Sequence, residues 1–166
     1  PEEARAALRA IADRSRSSLQ DVRQILGALR DPAEDPSGSP GLAQLETLVA
    51  ECAAAGLVVE LARTGEAWPR PRARDLTAYR ILQEALTNVL RHSAARTARV
   101  EIAYLPERVR LTVRDAGPGT ATATTGGHGQ LGMRERVAVW DGVLRLGPLP
   151  GGGYEVVAEL PRSQEE

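Results

Sequence analysis

The stretch ARVEIAYLPERVRLTVRD, residues 98–115, decides the fold. Apolar side chains alternate with charged ones at Val100, Ile102 and Tyr104, and again at Val109, Leu111 and Val113. That period of two predicts two strands, each with one buried and one solvated face. Pro106-Glu107 is all that separates them, so the strands are expected to pair antiparallel as a hairpin. A doubly wound parallel fold would place a helix after each strand, and this pair breaks that alternation.

Upstream, LAQLETLVAECAAAG repeats apolar residues at 42, 45, 48, 49, 52 and 53 and stops at Gly56, a favourable helix end. LVVELA, 57–62, reads as a strand. EAWPRPRARD is a Pro-interrupted loop, and Asp75 is the expected cap of a helix from about 76 to 92. Downstream, MRERVAVW reads as a short helix, while GVLRLGP and YEVVAELP form a hairpin across PLPGGG. The fold class is α/β: a two-layer sandwich with a mixed, mostly antiparallel sheet and helices on one face.

This sandwich occupies residues 42–161, with a short tail at 162–166. Before it, residues 4–30 carry Leu8, Ile11, Leu19, Val22, Ile25, Leu26 and Leu29 at helical spacing, an amphipathic helix of about seven turns. DPAEDPSGSPG, 31–41, holds three Pro and two Gly and is the linker between them.

The 166 residues suit one core with an appendage. A formal charge of −1 provides no overall field for nucleic acid or an anionic membrane. All 21 Lys-plus-Arg residues are Arg, a coding bias that argues against reading guanidinium chemistry into their number. One cysteine, Cys52, allows no internal disulfide and favours a reducing compartment. No run approaches the roughly 20 apolar residues needed to span a bilayer, so a cytoplasmic location is expected, with any membrane anchor in a longer parent.

Three motifs could carry chemistry. In QEALTNVLRH, 83–92, Leu82, Leu86 and Val89 mark a packing face, while Glu84, Asn88 and Arg91 fall on the i, i+4, i+7 line opposite. A carboxylate and an amide oxygen one turn apart suit Mg²⁺, which takes oxygen ligands and shares its shell with phosphates. The same polar line would also serve as an ordinary solvated helix face. VRDAGPG, 113–119, holds Asp115 at a strand end before Gly117 and Gly119, where an acceptor could read an amino group or simply make a turn. GGHGQLGMRERV, 126–137, runs from glycines into a helix, whose free N–H groups could meet a phosphate; a linker would look similar. It is not a P-loop, which needs a Lys that this chain lacks.

In this order the motifs resemble the N, G1 and G2 boxes of sensor histidine kinases, and GMRER resembles the subfamily paired with helix-turn-helix response regulators. The resemblance implies the ATP-binding sandwich shared with gyrase and Hsp90, and a protein histidine kinase activity. It makes Asn88 the Mg²⁺ ligand, Glu84 the residue that orients the attacking group, and Asp115 the acceptor for the adenine amino group. Gly117 and Gly119 would shape the base pocket. Gly127, Gly129 and Gly132 would form the lid over ATP, with Arg91, His92, His128 and Met133 as further nucleotide neighbours. Ala116 and Gln130 depart from the residues usual at their places.

The resemblance also implies a phosphoacceptor His on a dimerisation hairpin. Only His92 and His128 exist, both inside the nucleotide motifs. Residues 1–30 resemble the second helix of that hairpin, so the accepting helix belongs to a longer parent kinase and a homodimer through residues 4–30 is expected. The expected partners are ATP, that helix and a response regulator. Two other functions fit the same fold: an anti-sigma-factor serine kinase, which lacks the N-terminal helix, and a nucleotide-gated binding module without phosphoryl transfer.

Overall fold

A computed structural model describes residues 40–117 and 128–162. The chain divides into two units, residues 1–38 and 39–166, and every described residue lies in the second. The helix expected over 4–30, most of the linker, and Gly119 and Gly127 lie outside the described residues.

Among the described residues five strands form one sheet in the order β1-β2-β3-β5-β4: β1 (Val58–Thr64), β2 (Thr97–Leu105), β3 (Arg108–Asp115), β4 (Val143–Pro148) and β5 (Tyr154–Pro161). β1 and β2 are parallel and every other pair is antiparallel, so the sheet is mixed and mostly antiparallel, as expected. The hairpin over 98–115 closes at Leu105↔Arg108, with Val100↔Val113 and Ile102↔Leu111 facing each other. At the β4-β5 turn Gly151, Gly152 and Gly153 all take positive φ (91°, 109° and 90°), a run that side-chain-bearing residues would resist.

The register sorts side chains to two faces. Leu61, Val100, Ile102, Val109, Leu111, Val113, Val156, Ala158 and Leu160 share one face and pack in a single core with the helices. The other face carries Arg99, Glu101, Arg110, Arg114 and Arg145 to solvent. Glu159 is the buried acid on that side, bonded by Arg108 and Arg110 at 3.0 and 2.8 Å. A cavity of about 410 Å³ on this open face is lined by Arg110, Arg114, Arg145, Glu101 and Glu159, and contains none of the expected site residues.

Among the described residues three helices cover the core face: α1 (Leu45–Ala54), α2 (Arg72–His92) and α3 (His128–Ala138). A 3-10 turn, Leu42–Gln44, leads into α1, and Gly56 at φ 91° ends it while Leu57 N–H donates back to Cys52 O at 2.9 Å. On α2, Leu82, Leu86 and Val89 are buried, the packing face expected. Burying each leucine contributes roughly 1.5–3 kcal/mol.

Three expectations need correction. α2 starts at Arg72, one turn before the expected start, because Pro71 (φ −55°) opens it without a side-chain cap. Asp75 lies inside the first turn, and its carboxylate serves another element: Oδ2 accepts from Leu42 N–H at 3.1 Å while Oδ1 takes two bonds from Arg70. The third helix begins at His128 and ends at Ala138, so Gly129 and Gly132, expected in a lid loop, are helical.

Arg74 is a buried exception in α2. Its guanidinium lies 4.6 Å from the Trp140 ring centroid, yet Nε and Nη1 have no hydrogen-bond partner. The cation–π attraction offsets part of that cost.

Candidate nucleotide site

The site begins on α2, whose buried leucines fix which way its polar line points. Glu84 and Asn88 are half-buried, while Arg91 and His92, one turn on, are exposed. The Asn88 side chain makes no hydrogen bond among the described residues, which leaves its amide oxygen available to a ligand.

α2 ends at Ser93, whose extended backbone (φ −102°, ψ 141°) leaves the helix while its N–H still bonds Val89 O at 3.0 Å. Ser93 Oγ donates to Asp115 Oδ1 at 2.9 Å. Asp115 closes β3 and is 7% exposed; Gly117 N–H donates to the same Oδ1 at 2.8 Å. The end of the α2 motif and the DAGPG motif are therefore joined by a direct bond. Gly117 is needed there, since a Cβ would lie 2.6 Å from Ser93 Oγ and 2.8 Å from Asp115 Oδ1. A Cβ on Gly153, in the β4-β5 turn, would likewise collide with the Asp115 carbonyl oxygen.

The third motif meets the first at Glu84. A Cβ on Gly129 would collide with Glu84 Oε1, so the first turn of α3 lies directly against that carboxylate. Arg136, two turns along α3, is half-buried; burial pushes its guanidinium pKa down while the Glu84 charge pulls it back up. Gln130 lies against the Tyr154 hydroxyl, whose pKa burial raises; this gives the departing residue a polar partner. Met133, expected beside the nucleotide, is wholly buried in the hydrophobic core.

Of the expected residues, the structure thus joins Glu84 to Gly129 and, through Ser93, the end of α2 to Asp115 and Gly117, with Asn88 between these two junctions on the same helix. Sequence reading passed over Ser93 and Arg136. Ser93 gave only a weak signal, a hydroxyl just past the helix end, and Arg136 stood in the GMRER run without a role.

Among the described residues no group of three or more His, Cys, Asp or Glu side chains could hold a metal. The candidate ligands on the polar line of α2 are the amide oxygen of Asn88 and the carboxylate of Glu84. Such a set fits a hard divalent ion that completes its shell with water and phosphate oxygens, and does not fit a structural zinc site.

Residues 73–164, more than half of the chain, match the family described as histidine kinase-, DNA gyrase B- and HSP90-like ATPases. The sensor histidine kinase LnrJ of Bacillus subtilis (strain 168) is 33% identical over 146 residues, covering 88% of this chain and 36% of that protein. Sensor histidine kinase DesK of the same organism is 32% identical over 155 residues, covering 88% and 38% respectively. The chain thus spans little more than a third of the length of these relatives. Among solved structures, the histidine kinase domain of the Erythrobacter litoralis EL346 blue-light activated histidine kinase superposes with a TM-score of 0.57 at 19% identity, covering 78% of this chain and 70% of that one; this likeness concerns the fold alone. With a matched family model across the helix and strands that build the site, the chain belongs to the histidine kinase-, DNA gyrase B- and HSP90-like ATPase family.

Proposed function

We propose that this chain is the ATP-binding catalytic part of a two-component sensor histidine kinase, delivering the γ-phosphoryl group of ATP to a histidine on a dimerisation helix. The observation that carries the reading is the convergence of the three motifs: Ser93 bonds Asp115, and the start of α3 lies on Glu84. The relatives named sensor histidine kinases support it.

In this reading Asp115 accepts from the adenine amino group and Gly117 leaves room for the base. Asn88 would hold Mg²⁺, which when bound supplies charge neutralisation at the phosphates. Backbone N–H groups at the start of α3 face the phosphate end, where helix geometry leaves them unpaired. Gly119 and Gly127 belong to the base pocket and the lid, and Gly129 and Gly132 to the start of α3 on the phosphate side, with Arg91, His92 and His128 near the phosphates or ribose. In the transfer an imidazole nitrogen attacks the γ-phosphorus, the bond to the β,γ-bridging oxygen breaks, and ADP leaves. Glu84 orients the attacking imidazole, and the site contributes mainly positioning and charge stabilisation.

Both histidines of this chain lie in the nucleotide motifs, so the acceptor imidazole comes from the parent's hairpin. A response regulator then takes the phosphoryl group, and residues 4–30 supply the dimer contact. No helix among the described residues is long and apolar enough to cross a membrane.

The test supplies the complete phosphoacceptor hairpin of the parent in trans, with γ-labelled ATP. Acid-labile, base-stable label on the hairpin is expected. Tight ATP binding without any label on the hairpin contradicts the kinase reading and leaves a nucleotide-gated module.

A further inference from the structure

Ser93 is the first residue past α2, and its hydroxyl has two partners. It accepts from Ala95 N–H at 3.0 Å and donates to Asp115 Oδ1 at 2.9 Å. A hydroxyl has a single proton, so the amide of Ala95, which can only donate, directs that proton toward Asp115. Oδ1 also receives Gly117 N–H at 2.8 Å. Both donors thus converge on one carboxylate oxygen, and turning the carboxylate about χ2 would break both bonds.

The packing around this pair is tight. Asp115 is 7% exposed, and the space beside Ser93 Oγ and Oδ1 admits no Cβ at Gly117. With Oδ1 held by two donors, Oδ2 is left as an acceptor of fixed direction. The same serine closes the helix that carries Glu84 and Asn88, so one residue links the direction of the base-reading oxygen to the end of the phosphate-side helix.

We infer that Ser93 is a positioning residue for base recognition: its hydroxyl holds the Asp115 carboxylate so that Oδ2 meets the exocyclic amino group of adenine. This rests on the nucleotide reading above. Ser93 touches no substrate itself. Its contribution is to selectivity for a purine bearing a 6-amino group, a quantity that a purely structural hydroxyl would leave alone.

The experiment uses the 166-residue chain with Ser93→Ala, Ser93→Thr and Ser93→Val, titrated calorimetrically with ATP and with purine riboside triphosphate, which lacks the 6-amino group. Thr and Val are alike in shape and differ in the hydroxyl, so that pair isolates the hydrogen bond even if Ala disturbs packing. Losing one hydrogen bond to a charged acceptor predicts about tenfold weaker ATP binding in the Ala and Val variants. The analogue should change by less than about twofold, and Thr should restore the wild-type ratio. Equal weakening of both nucleotides, or a Val variant with the selectivity of Thr, overturns the inference while leaving the nucleotide site intact. Failure of the unmodified chain to bind ATP overturns the site reading itself, and the inference with it.

Discussion

Asp115→Asn is the most discriminating single substitution. Both intramolecular bonds of the carboxylate fall on Oδ1, from Ser93 Oγ at 2.9 Å and Gly117 N–H at 2.8 Å. An asparagine that keeps its amide oxygen in that place keeps both bonds, and its volume suits a site only 7% exposed. What changes is the other position, where a carboxylate oxygen becomes an NH₂ donor facing the adenine amino group. A hydrogen bond to a charged acceptor contributes about 1.5–3 kcal/mol, so ATP should bind roughly 10- to 150-fold more weakly. The new donor suits a 6-oxo purine, so the preference for ATP over ITP should shrink by more than the loss in ATP affinity alone. Calorimetric titration with each nucleotide measures both quantities, and circular dichroism melting checks that the fold survives. An ATP affinity within twofold of the unmodified chain, with ITP unchanged, would refute the assignment of Asp115 to the base.

Asn88→Ala should remove the Mg²⁺-dependent part of ATP affinity, measured with and without the ion, while leaving the melting temperature within a few degrees. Gly129→Ala should separate stability from activity. Alanine is favoured over glycine in a helix by about 1 kcal/mol, and the colliding Glu84 carboxylate can swing away. The melting temperature should therefore hold or rise, while phosphoryl transfer to an added hairpin falls at least tenfold as Glu84 is displaced. Glu159→Gln concerns the opposite face: burial raises the Glu159 pKa, but Arg110 and Arg108 outweigh it and hold the group below its ordinary 4.5. A depressed native pKa means stability that is present above pH 4.5 and lost as pH falls through the native value. The Gln variant should therefore melt lower than the parent at pH 7, with the gap narrowing as the pH falls below 4.5; a gap that does not narrow in acid would contradict the pairing.

The elements legible in advance were those written in local pattern. The 98–115 hairpin needs only alternation and a two-residue turn, and β5 from Tyr154 to Pro161 was bounded by glycines on one side and proline on the other. What escaped depends on contacts distant in the chain. Asp75 has the chemistry of a helix cap, but the N–H it bonds belongs to Leu42, 33 residues earlier. Glycines at 129 and 132 read as loop because glycine is a poor helix former, yet Gly129 sits in a helix with the Glu84 carboxylate in the place a side chain would take. α3 buries little beyond Met133 and Val137, too narrow an apolar face to announce its true start. In the site, the polar line of α2 and the strand-end Asp115 were visible from spacing. Ser93 was not, since its role exists only once β3 brings Asp115 beside it.

The central claim is that α2, the end of β3 and the start of α3 form one site for a magnesium-chelated adenine nucleotide. Calorimetric titration of the unmodified chain with ATP and with GTP, each with and without Mg²⁺, tests it most directly. Saturable binding of ATP that strengthens with Mg²⁺, at one nucleotide per chain and with GTP at least tenfold weaker, is the predicted result. Equal affinity for the two purines, or ATP binding that Mg²⁺ leaves unchanged, would contradict it.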